Sequence, residues 1–366
     1  MSVSEQSTTA RVTLQDIARE AGVSRATVSL ILSNRTDYVR QFRPETVTRV
    51  RAVAEKLGYE DQPLAASRRS LRASFFALVL RGAQGSDVVA WQHQVFEGAF
   101  VSGVLAKATE AHIYPVVATQ VGATIAEGTS RLHAVLDGGV FGAIVRSPTL
   151  SMLDTLRRRE ARGLPIVAVF PDHPTRHESN MLDMDNRAAG HLAGQLLAEA
   201  GRLRWYVVQD YRSTEAQRLR EDGIRQAAHQ YGATVLIDCV LNATEEEEVA
   251  DWLQPKLQSA MPDGIFATSS LGAVGALLAC DKAGLDVPDQ VCIVGCDASV
   301  WRLDPRPRIT SIEVSWYEAG RQATDLLLRC RDGGAAGFGN VLLEPCVVEG
   351  ATCPVGPKVR IVAGPG

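Results

Sequence analysis

The stretch LQDIAREAGVSRATVSLILSN, residues 14–34, carries a helical pattern of apolar residues that is broken in its middle by Ala21-Gly22. Leu14, Ile17, Ala18 and Ala21 fall on one helical face, with Gln15, Asp16, Arg19 and Glu20 outside it. Gly22 suits the left-handed residue that ends a helix. Ser24 can cap a second helix that would bury Val28, Ile31 and Leu32. A third helix is predicted from Pro44, which suits a first turn, to Leu57. Val47, Val50, Ala54 and Leu57 form its apolar stripe, and Gly58 ends it. Two short helices with a tight glycine turn, braced by a third, predict a helix-turn-helix. Arg25, Ala26, Thr27, Ser29 and Leu30 then face outward from helix two. Short side chains there would let the helix sit deep in a DNA major groove, and Arg25 could reach a guanine edge or a phosphate. Spacing and charge alone also fit a helical hairpin with no ligand.

The chain around this stretch has 366 residues, which predicts two or three domains. Hydrophobic residues make up 46% and charged residues 22%, as in globular proteins. No apolar run has the length of a membrane span, and MSVSEQSTTARV has no secretory core, so a cytoplasmic protein without a membrane partner is expected. The net charge of −4 argues against a generally basic nucleic-acid coat. Residues 11–72, however, hold twelve Arg and Lys against seven Asp and Glu, a balance of +5. With Glu5 before them, residues 73–366 balance at −8. A basic head on an acidic body suggests that the head meets a polyanion. The seven cysteines all lie at position 239 or beyond and form no CxxC pair. Reduced, mostly buried thiols are expected; Cys292-x-x-x-Cys296 alone is weak support for zinc, and no metal is predicted.

The residues VTLQDIAREAGVSRATVSLIL and RPETVTRVRAVAEKLGY resemble the head of the lactose-repressor/galactose-repressor (LacI/GalR) family of bacterial transcription regulators. The resemblance is dense at Val12-Thr13-Leu14, Asp16-Ile17-Ala18, Ala21-Gly22-Val23-Ser24, Thr27-Val28-Ser29, Thr46, Val50 and Leu57-Gly58-Tyr59. It implies that Arg25, Ala26, Thr27, Ser29 and Leu30 lie on the recognition helix, and that Thr13 and Ser24 contact backbone phosphates. Three features depart from the family. Ser33 stands where most members have asparagine at this DNA-binding position. The loop Asn34–Arg43 is longer than in the lactose repressor and holds three arginines. The family's hinge helix, which orders on DNA and wedges a leucine into the minor groove, is here EDQPLAASRRSLRAS. An ungapped count puts Arg68 in the leucine slot, with Leu71 one helical turn later. Arg68, Arg69 and Arg72 suit a phosphate-lined groove in either register.

From Phe75 onward short apolar runs alternate with helical segments: FFALVL (75–80), YPVVAT (114–119), GAIVRS (142–147), PIVAVF (165–170), WYVVQ (205–209), TVLIDCVL (234–241), GIFATS (264–269) and VCIVGCD (291–297). Helices are predicted near 94–111, 126–138, 151–162, 186–200, 216–231, 245–259 and 271–284. Continuous buried strands between amphipathic helices mean parallel α/β sheet. There is no GxGxxG after the first strand, no phosphate loop and no GxSxG, so an enzyme and a nucleotide cofactor are unsupported. The strand count fits two similar sheets.

The expected fold is therefore an all-α helix-turn-helix DNA-binding head at 11–60, a hinge at 61–73, and an α/β two-lobed periplasmic-binding-protein-like body at 74–366, with parallel sheets flanked by helices. One lobe is expected to hold about 74–175 plus 301–325, the other about 176–300 plus 326–350. The family resemblance continues through LDMDNRAAGHLAGQLLAEAG, QRLREDGIRQA and FATSSLGAVGALLACDKAGLDVPDQVCIVGCDAS. Ligands sit at the C-terminal ends of such strands. Asp297 matches the aspartate that accepts ligand hydroxyl protons and Arg220 the arginine that reaches into the cleft; an interlobe salt bridge between them is the alternative. Ser269 and Ser270 replace the usual asparagine and aspartate, which argues against the common hexose ligand. Asp185 is either a ligand group or an interlobe hydrogen-bonding residue. Trp91 and Phe96 would offer an aromatic platform, or Trp91 simply packs. Cys296 replaces a common aromatic residue and would enlarge the pocket. The segment 82–95 is expected to loop over the pocket mouth.

The tail CPVGPKVRIVAGPG has no leucine heptads, so a homodimer through the body is expected rather than a tetramer. The resemblance implies a repressor on near-palindromic double-stranded operator DNA, with operator affinity modulated by a small-molecule effector, a sugar or a related metabolite. A solute-binding protein or an enzyme on the same α/β body is the competing class.

Overall fold

The computed structural model describes residues 12–32, 41–57, 59, 74–81, 88–119, 125–171, 180–209, 215–239, 243, 245–298, 308–333 and 338–356, without the side chains of 88–95, 125–126, 150–151, 239 and 333. The chain divides into two units, Met1–Leu71 and Arg72–Gly366.

The first unit holds α1 (Leu14–Ala21), α2 (Arg25–Leu32) and α3 (Pro44–Lys56). Thr13 and Asp16 form a capping box at the start of α1: the Thr13 amide donates to Asp16 Oδ2 over 2.9 Å and the Asp16 amide to Thr13 Oγ1 over 3.4 Å. The Thr13 hydroxyl, which donates to Asp16 Oδ2 over 2.6 Å, and then the Thr13 amide hold the Asp16 carboxyl below the usual carboxylate range. Gly22 ends α1 at φ +67°. The Thr27 amide donates to Ser24 Oγ over 3.0 Å, which caps α2. Leu14, Ile17, Ala18, Ala21, Val28, Ile31, Val50 and Ala54 form one small core, and Leu32 packs against it only partly buried. Arg49 of α3 donates from Nε to the Ala21 carbonyl over 3.1 Å, which satisfies one of the open carbonyls at the end of α1.

The second unit runs β1 (Phe75–Leu80), α4 (Val88–Glu110), β2 (Tyr114–Thr119), α5 (Ile125–Asp137), β3 (Ala143–Arg146), α6 (Leu150–Glu160), β4 (Ile166–Val169), β5 (Met181–Met184), α7 (Asn186–Glu199), β6 (Arg204–Gln209) and α8 (Glu215–Tyr231). It continues with β7 (Thr234–Cys239), α9 (Glu246–Ala260), β8 (Gly264–Ala267), α10 (Ser270–Ala283), β9 (Cys292–Cys296), β10 (Thr310–Glu313), α11 (Trp316–Gly333), β11 (Asn340–Leu343) and β12 (Cys346–Val348). The first sheet has the order β11-β5-β4-β3-β1-β2 and is parallel throughout. The second has the order β12-β10-β9-β8-β6-β7, parallel except where β12 runs against β10.

Sheet membership corrects the expected division into lobes. Met181–Met184 pairs with β4, and so belongs to the first lobe. Thr310–Glu313 pairs with β9 in the second lobe, while α11 packs on α4, β3 and β4 of the first. The chain thus crosses between lobes three times: at Asp185, at Val314-Ser315 and at Glu344-Pro345. The expected boundary at 325 would cut α11 in two. A second correction concerns 82–95: α4 starts at Val88, so the C-terminal part of that segment is helical, and 82–87 lies outside the described residues.

Both lobes have helices brought close by glycines. In the second lobe, a methyl group on Gly190 of α7 would run into the Arg220 carbonyl of α8, and one on Gly223 of α8 into the Arg187 carbonyl. This close approach sets Arg220 at the edge of the interlobe cleft.

Candidate functional site

On the head, α2 presents Arg25 and Ala26 exposed, Thr27 and Ser29 half-buried, and Leu30 at 37% exposure, while Val28 and Ile31 are sealed in the core. The 3.6-residue period of the helix produces that split. Thr13 and Ser24 lie exposed at the N-caps of α1 and α2, where a phosphate would meet helix-terminal amides. Ser33, Arg68, Arg69, Leu71 and most of the arginine-rich loop lie outside the described residues.

In the body, three non-glycine residues adopt left-handed backbone angles at the C-terminal ends of strands: Ser147 after β3 (φ +47°), Phe170 after β4 (φ +47°) and Asp297 after β9 (φ +54°). Such angles are uncommon outside glycine and need support from their surroundings. Neighbouring strands supply it. The Ser147 amide donates to the Val169 carbonyl over 2.7 Å, the Phe170 amide to Leu182 over 2.9 Å, and the Asp297 amide to Ile312 over 3.1 Å.

The first-lobe wall is aromatic and cationic. Trp316, at the start of α11, stacks on Phe96 at 5.0 Å and 29°, and its ring lies 4.8 Å from that of Phe170. The Arg146 guanidinium sits over the Trp316 ring at 4.8 Å, and Arg146 is only 4% exposed. This desolvated cation–π pair fixes the indole plane. Trp316 Nε1 is sealed from solvent and has no hydrogen-bond partner among the described residues. Phe96 is 7% exposed, so it backs Trp316 rather than facing the cleft itself. Trp91 belongs to α4, and its side chain lies outside the described residues.

The second-lobe wall is a charge cluster. Arg220 donates from Nε to Asn186 Oδ1 over 2.9 Å and from Nη1 to the Thr268 carbonyl, and its Nη2 lies 3.6 Å from Asp297 Oδ2. Both partners of this ion pair stand in the second lobe, on α8 and after β9, which corrects the interlobe alternative. Asp297 Oδ1 is sealed and has no hydrogen-bond partner among the described residues, although the side chain as a whole is 28% exposed. Burial raises the Asp297 carboxyl above its usual range, against the pull of Arg220 and of Arg146 from the facing lobe. Asp183, on β5 of the first lobe, is pushed up to about 7, mainly by burial. Buried polar atoms are almost always paired. An unpaired acceptor on one wall and an unpaired donor on the other are what a hydroxylated ligand would satisfy.

Other expected contacts have different tasks. Ser269 caps α10, accepting from the Gly272 amide over 3.1 Å. Asp185 caps α7, accepting from the Ala188 amide over 2.9 Å, while its own amide donates to the Leu343 carbonyl of β11 over 2.9 Å. It therefore ties one interlobe crossing to the first sheet. Cys296 is fully buried in the core under β9, and burial pushes its thiol up to about 12; it does not line the cleft mouth. Arg146, Phe170, Asp183 and Trp316 were not anticipated. The first two end the apolar runs GAIVRS and PIVAVF, so the strand-end rule applied to the first lobe would have found them.

A three-helix head with an exposed reading helix, and a two-lobed body with a partly charged cleft, define the class: a DNA-binding regulator built on a periplasmic-binding-protein-like sensor. Comparison with known proteins agrees. The description "Bacterial regulatory proteins, lacI family" matches residues 13–62, and "Periplasmic binding protein-like domain" matches residues 187–353. HTH-type transcriptional regulator reg1 of Streptomyces lividans is 29% identical over 351 residues, covering 93% of this chain and 96% of its own. The lac repressor dimer bound to operator and the anti-inducer ONPF superposes with a TM-score of 0.70 at 19% identity, over 94% of this chain and 99% of that one. The transcriptional regulator CelR in its cellobiose complex gives 0.62 at 25% identity, over 93% and 100%. The chain carries a LacI-type DNA-binding domain and a periplasmic-binding-protein-like domain, the make-up of its relatives, which are HTH-type transcriptional regulators.

Proposed function

We propose that the protein represses transcription as a homodimer on near-palindromic operator DNA, and that a small hydroxylated metabolite, a sugar or sugar derivative, changes its operator affinity from the interlobe cleft. In this reading residues 11–60 read DNA and 61–73 form a hinge that orders on it. The observation that carries the effector half is the pair of sealed, unpartnered atoms, Asp297 Oδ1 and Trp316 Nε1, on opposite walls beside an Arg146-fixed indole. A hydroxyl can donate to the first and accept from the second, and the C–H face of a sugar ring stacks on an indole. CelR was solved with cellobiose, which supports the ligand class without naming the ligand.

The homodimer is supported by the edge strand β2, which leaves Tyr114, Val116 and Val117 at 56%, 43% and 54% exposure, an apolar strip of the kind that marks contact surfaces. Two heads would then bind half-sites one helical turn or a multiple of it apart. Ligand binding that favours one lobe arrangement shifts the hinge-ordered population by its differential affinity.

A thermal-shift screen against sugars, sugar acids, polyols and nucleosides, followed by operator-binding titrations with each hit, tests both halves. The expected result is a hit that weakens operator binding. A hit that strengthens it would reverse the sign of regulation, and a hit consumed by the purified protein would revive the enzyme reading. No genomic fragment held more tightly than scrambled DNA at physiological salt would overturn the proposal.

A further inference from the structure

The interlobe crossing at Asp185 is built around one buried amide. Asn186, the first residue of α7, is 2% exposed, and its side chain bonds one residue from each lobe. Its Nδ2 donates over 3.1 Å to the carbonyl of Met184, the last residue of β5 in the first lobe. Its Oδ1 accepts over 2.9 Å from Nε of Arg220, on α8 of the second lobe. A guanidinium can only donate and a carbonyl can only accept, so the two partners fix which way the amide points. The bond to Arg220 is charge-assisted and buried, which makes it the stronger of the two.

The backbone carries this line to a second crossing. The Asp185 amide donates to the Leu343 carbonyl over 2.9 Å, and Leu343 ends β11 just before the crossing at Glu344-Pro345. At the other end Arg220 stands beside Asp297, with Nη2 3.6 Å from Oδ2. A line of polar contacts thus runs from Asp297 through Arg220 and Asn186 to Met184, and through the next peptide to Leu343. The parts it joins are stiff. At Gly190 and Gly223 an added methyl would strike the facing backbone, so Arg220 cannot shift without moving α7. Asp185 caps that helix by accepting from the Ala188 amide over 2.9 Å, so the crossing residue and α7 move together. Hydrogen-bond networks joined to packed helices are a physical means of coupling distant groups.

We propose that Asn186 is a positioning residue that couples Arg220 to the interlobe crossings, so that a ligand engaging the Arg220–Asp297 pair acts on the hinge as well as on the cleft wall. This rests on the reading of the cleft as the effector site. A hydroxyl that binds Asp297 and competes for the guanidinium changes how firmly Arg220 holds Asn186. Asn186 in turn holds the Met184 carbonyl, the last peptide of the first lobe before the chain crosses. Hinges need only a few residues at element ends to absorb a change in backbone angle, and Met184-Asp185-Asn186 is such a place. Asn186 itself is sealed from solvent, so it acts through Arg220 and not by touching the ligand.

The test is hydrogen–deuterium exchange of the full-length protein, read at the Asp185 amide, in the parent, Arg220→Met, Asn186→Asp and the double variant. Asn186→Asp keeps an acceptor for Arg220 and removes the donor to Met184. Each single change should speed exchange at Asp185 several-fold. The double variant should exchange no faster than the faster single one, because both changes act through one line of contacts. Amides of α10 should exchange as in the parent, which shows that the variants are folded. Unchanged exchange at Asp185 in Arg220→Met, or effects that multiply in the double variant, would overturn the proposal. The first of these outcomes does not depend on how Asn186→Asp folds, and none needs a ligand. Operator affinity of the parent and Asn186→Asp is then titrated with cellobiose, gluconate, xylitol and adenosine as probes. A probe that shifts the parent's operator affinity should still bind Asn186→Asp but shift its operator affinity less. Equal shifts in the two proteins would also overturn the proposal. No shift in the parent with any probe would count against the effector reading, and the exchange result would still decide the role of Asn186.

Discussion

Arg220 Nη2 and Asp297 Oδ2 sit 3.6 Å apart, and the contact uses only one carboxylate oxygen, leaving Oδ1 sealed and unpartnered. Arg220 is held independently by Asn186 and the Thr268 carbonyl. Replacing Asp297 by Ala should therefore leave Arg220 in place and the fold intact. Effector affinity should fall by roughly 10-fold to 100-fold, the usual worth of a hydrogen bond to a charged acceptor, while operator binding without effector is kept. Titration calorimetry and operator binding on the same preparation separate the two; a loss of DNA binding would reveal a structural role instead.

Trp316 keeps its indole N–H sealed and unpartnered among the described residues and gives its ring to Arg146. Trp316→Phe keeps a ring for Arg146 and removes the donor. A loss of about 0.5–1.5 kcal/mol in effector binding is expected, the net worth of one neutral hydrogen bond. Trp316→Leu, which also removes the π face, should lose more. No loss in Trp316→Phe would mean that the N–H meets no ligand atom, and equal losses in the two variants would mean that the π face adds nothing.

Arg25 is exposed at the first turn of α2. Its replacement by Ala should cost about 1–3 kcal/mol on the operator if it pairs bidentately with guanine. A similar loss on random duplex would identify a phosphate contact. Operator and random-duplex binding across a salt series decides between these, since loss of a phosphate contact reduces the salt slope.

Gly22 and Gly190 should respond to alanine for different reasons. At Gly22 an added methyl meets nothing within 4 Å, so the cost is the left-handed backbone alone, about 1–2 kcal/mol. At Gly190 the methyl meets the Arg220 backbone carbonyl, and α7 and α8 must move apart at a cost of about 1–3 kcal/mol. The second change also displaces Arg220, so Gly190→Ala alone should weaken effector binding. Urea unfolding and effector titration of both variants check this contrast.

Asp183 holds its proton to about pH 7, against an ordinary value of 3.8, because burial disfavours its charge. The folded state then binds more protons than the unfolded state between these values. Its contribution to stability is fully present below the ordinary value and is lost as pH rises to about 7. Asp183→Asn removes this dependence, so the variant should gain on the parent protein as pH increases across that window. Melting curves of both at several pH values test it; a constant difference would mean that Asp183 does not titrate there.

Local pattern made the head legible almost to the residue. Gly22, Ser24 and the Val28/Ile31 spacing report a turn, a cap and a buried face, each governed by neighbours a few positions away. The body's apolar runs FFALVL and YPVVAT match β1 and β2, because continuous apolar strands between amphipathic helices leave little choice, although only β1 is buried and β2 lies at the sheet edge. MLDM, with Asp183 in its middle, falls in the expected second lobe and is β5 of the first; a four-residue strand with a buried carboxyl has no local signature. Ser269, expected in the cleft, caps α10, and Asp185, expected as a ligand group or an interlobe hydrogen-bonding residue, caps α7 and bonds Leu343 at the crossing, since a short oxygen side chain before a helix serves any of these purposes until its partner is known.

The sequence by itself determined the helix-turn-helix and the alternation that forces two parallel sheets, because these follow from periodicity; Asp297 stood out as a strand end that also matches the family pattern, and Arg220 through the family resemblance alone. Only the tertiary structure decided which lobe owns Met181–Met184 and Thr310–Glu313, that Trp316 and Arg146 form the facing wall, and that Asp297 keeps one oxygen open. Strand pairing, ring stacking and desolvation join residues far apart in the chain, and no local pattern records which distant partner each will meet.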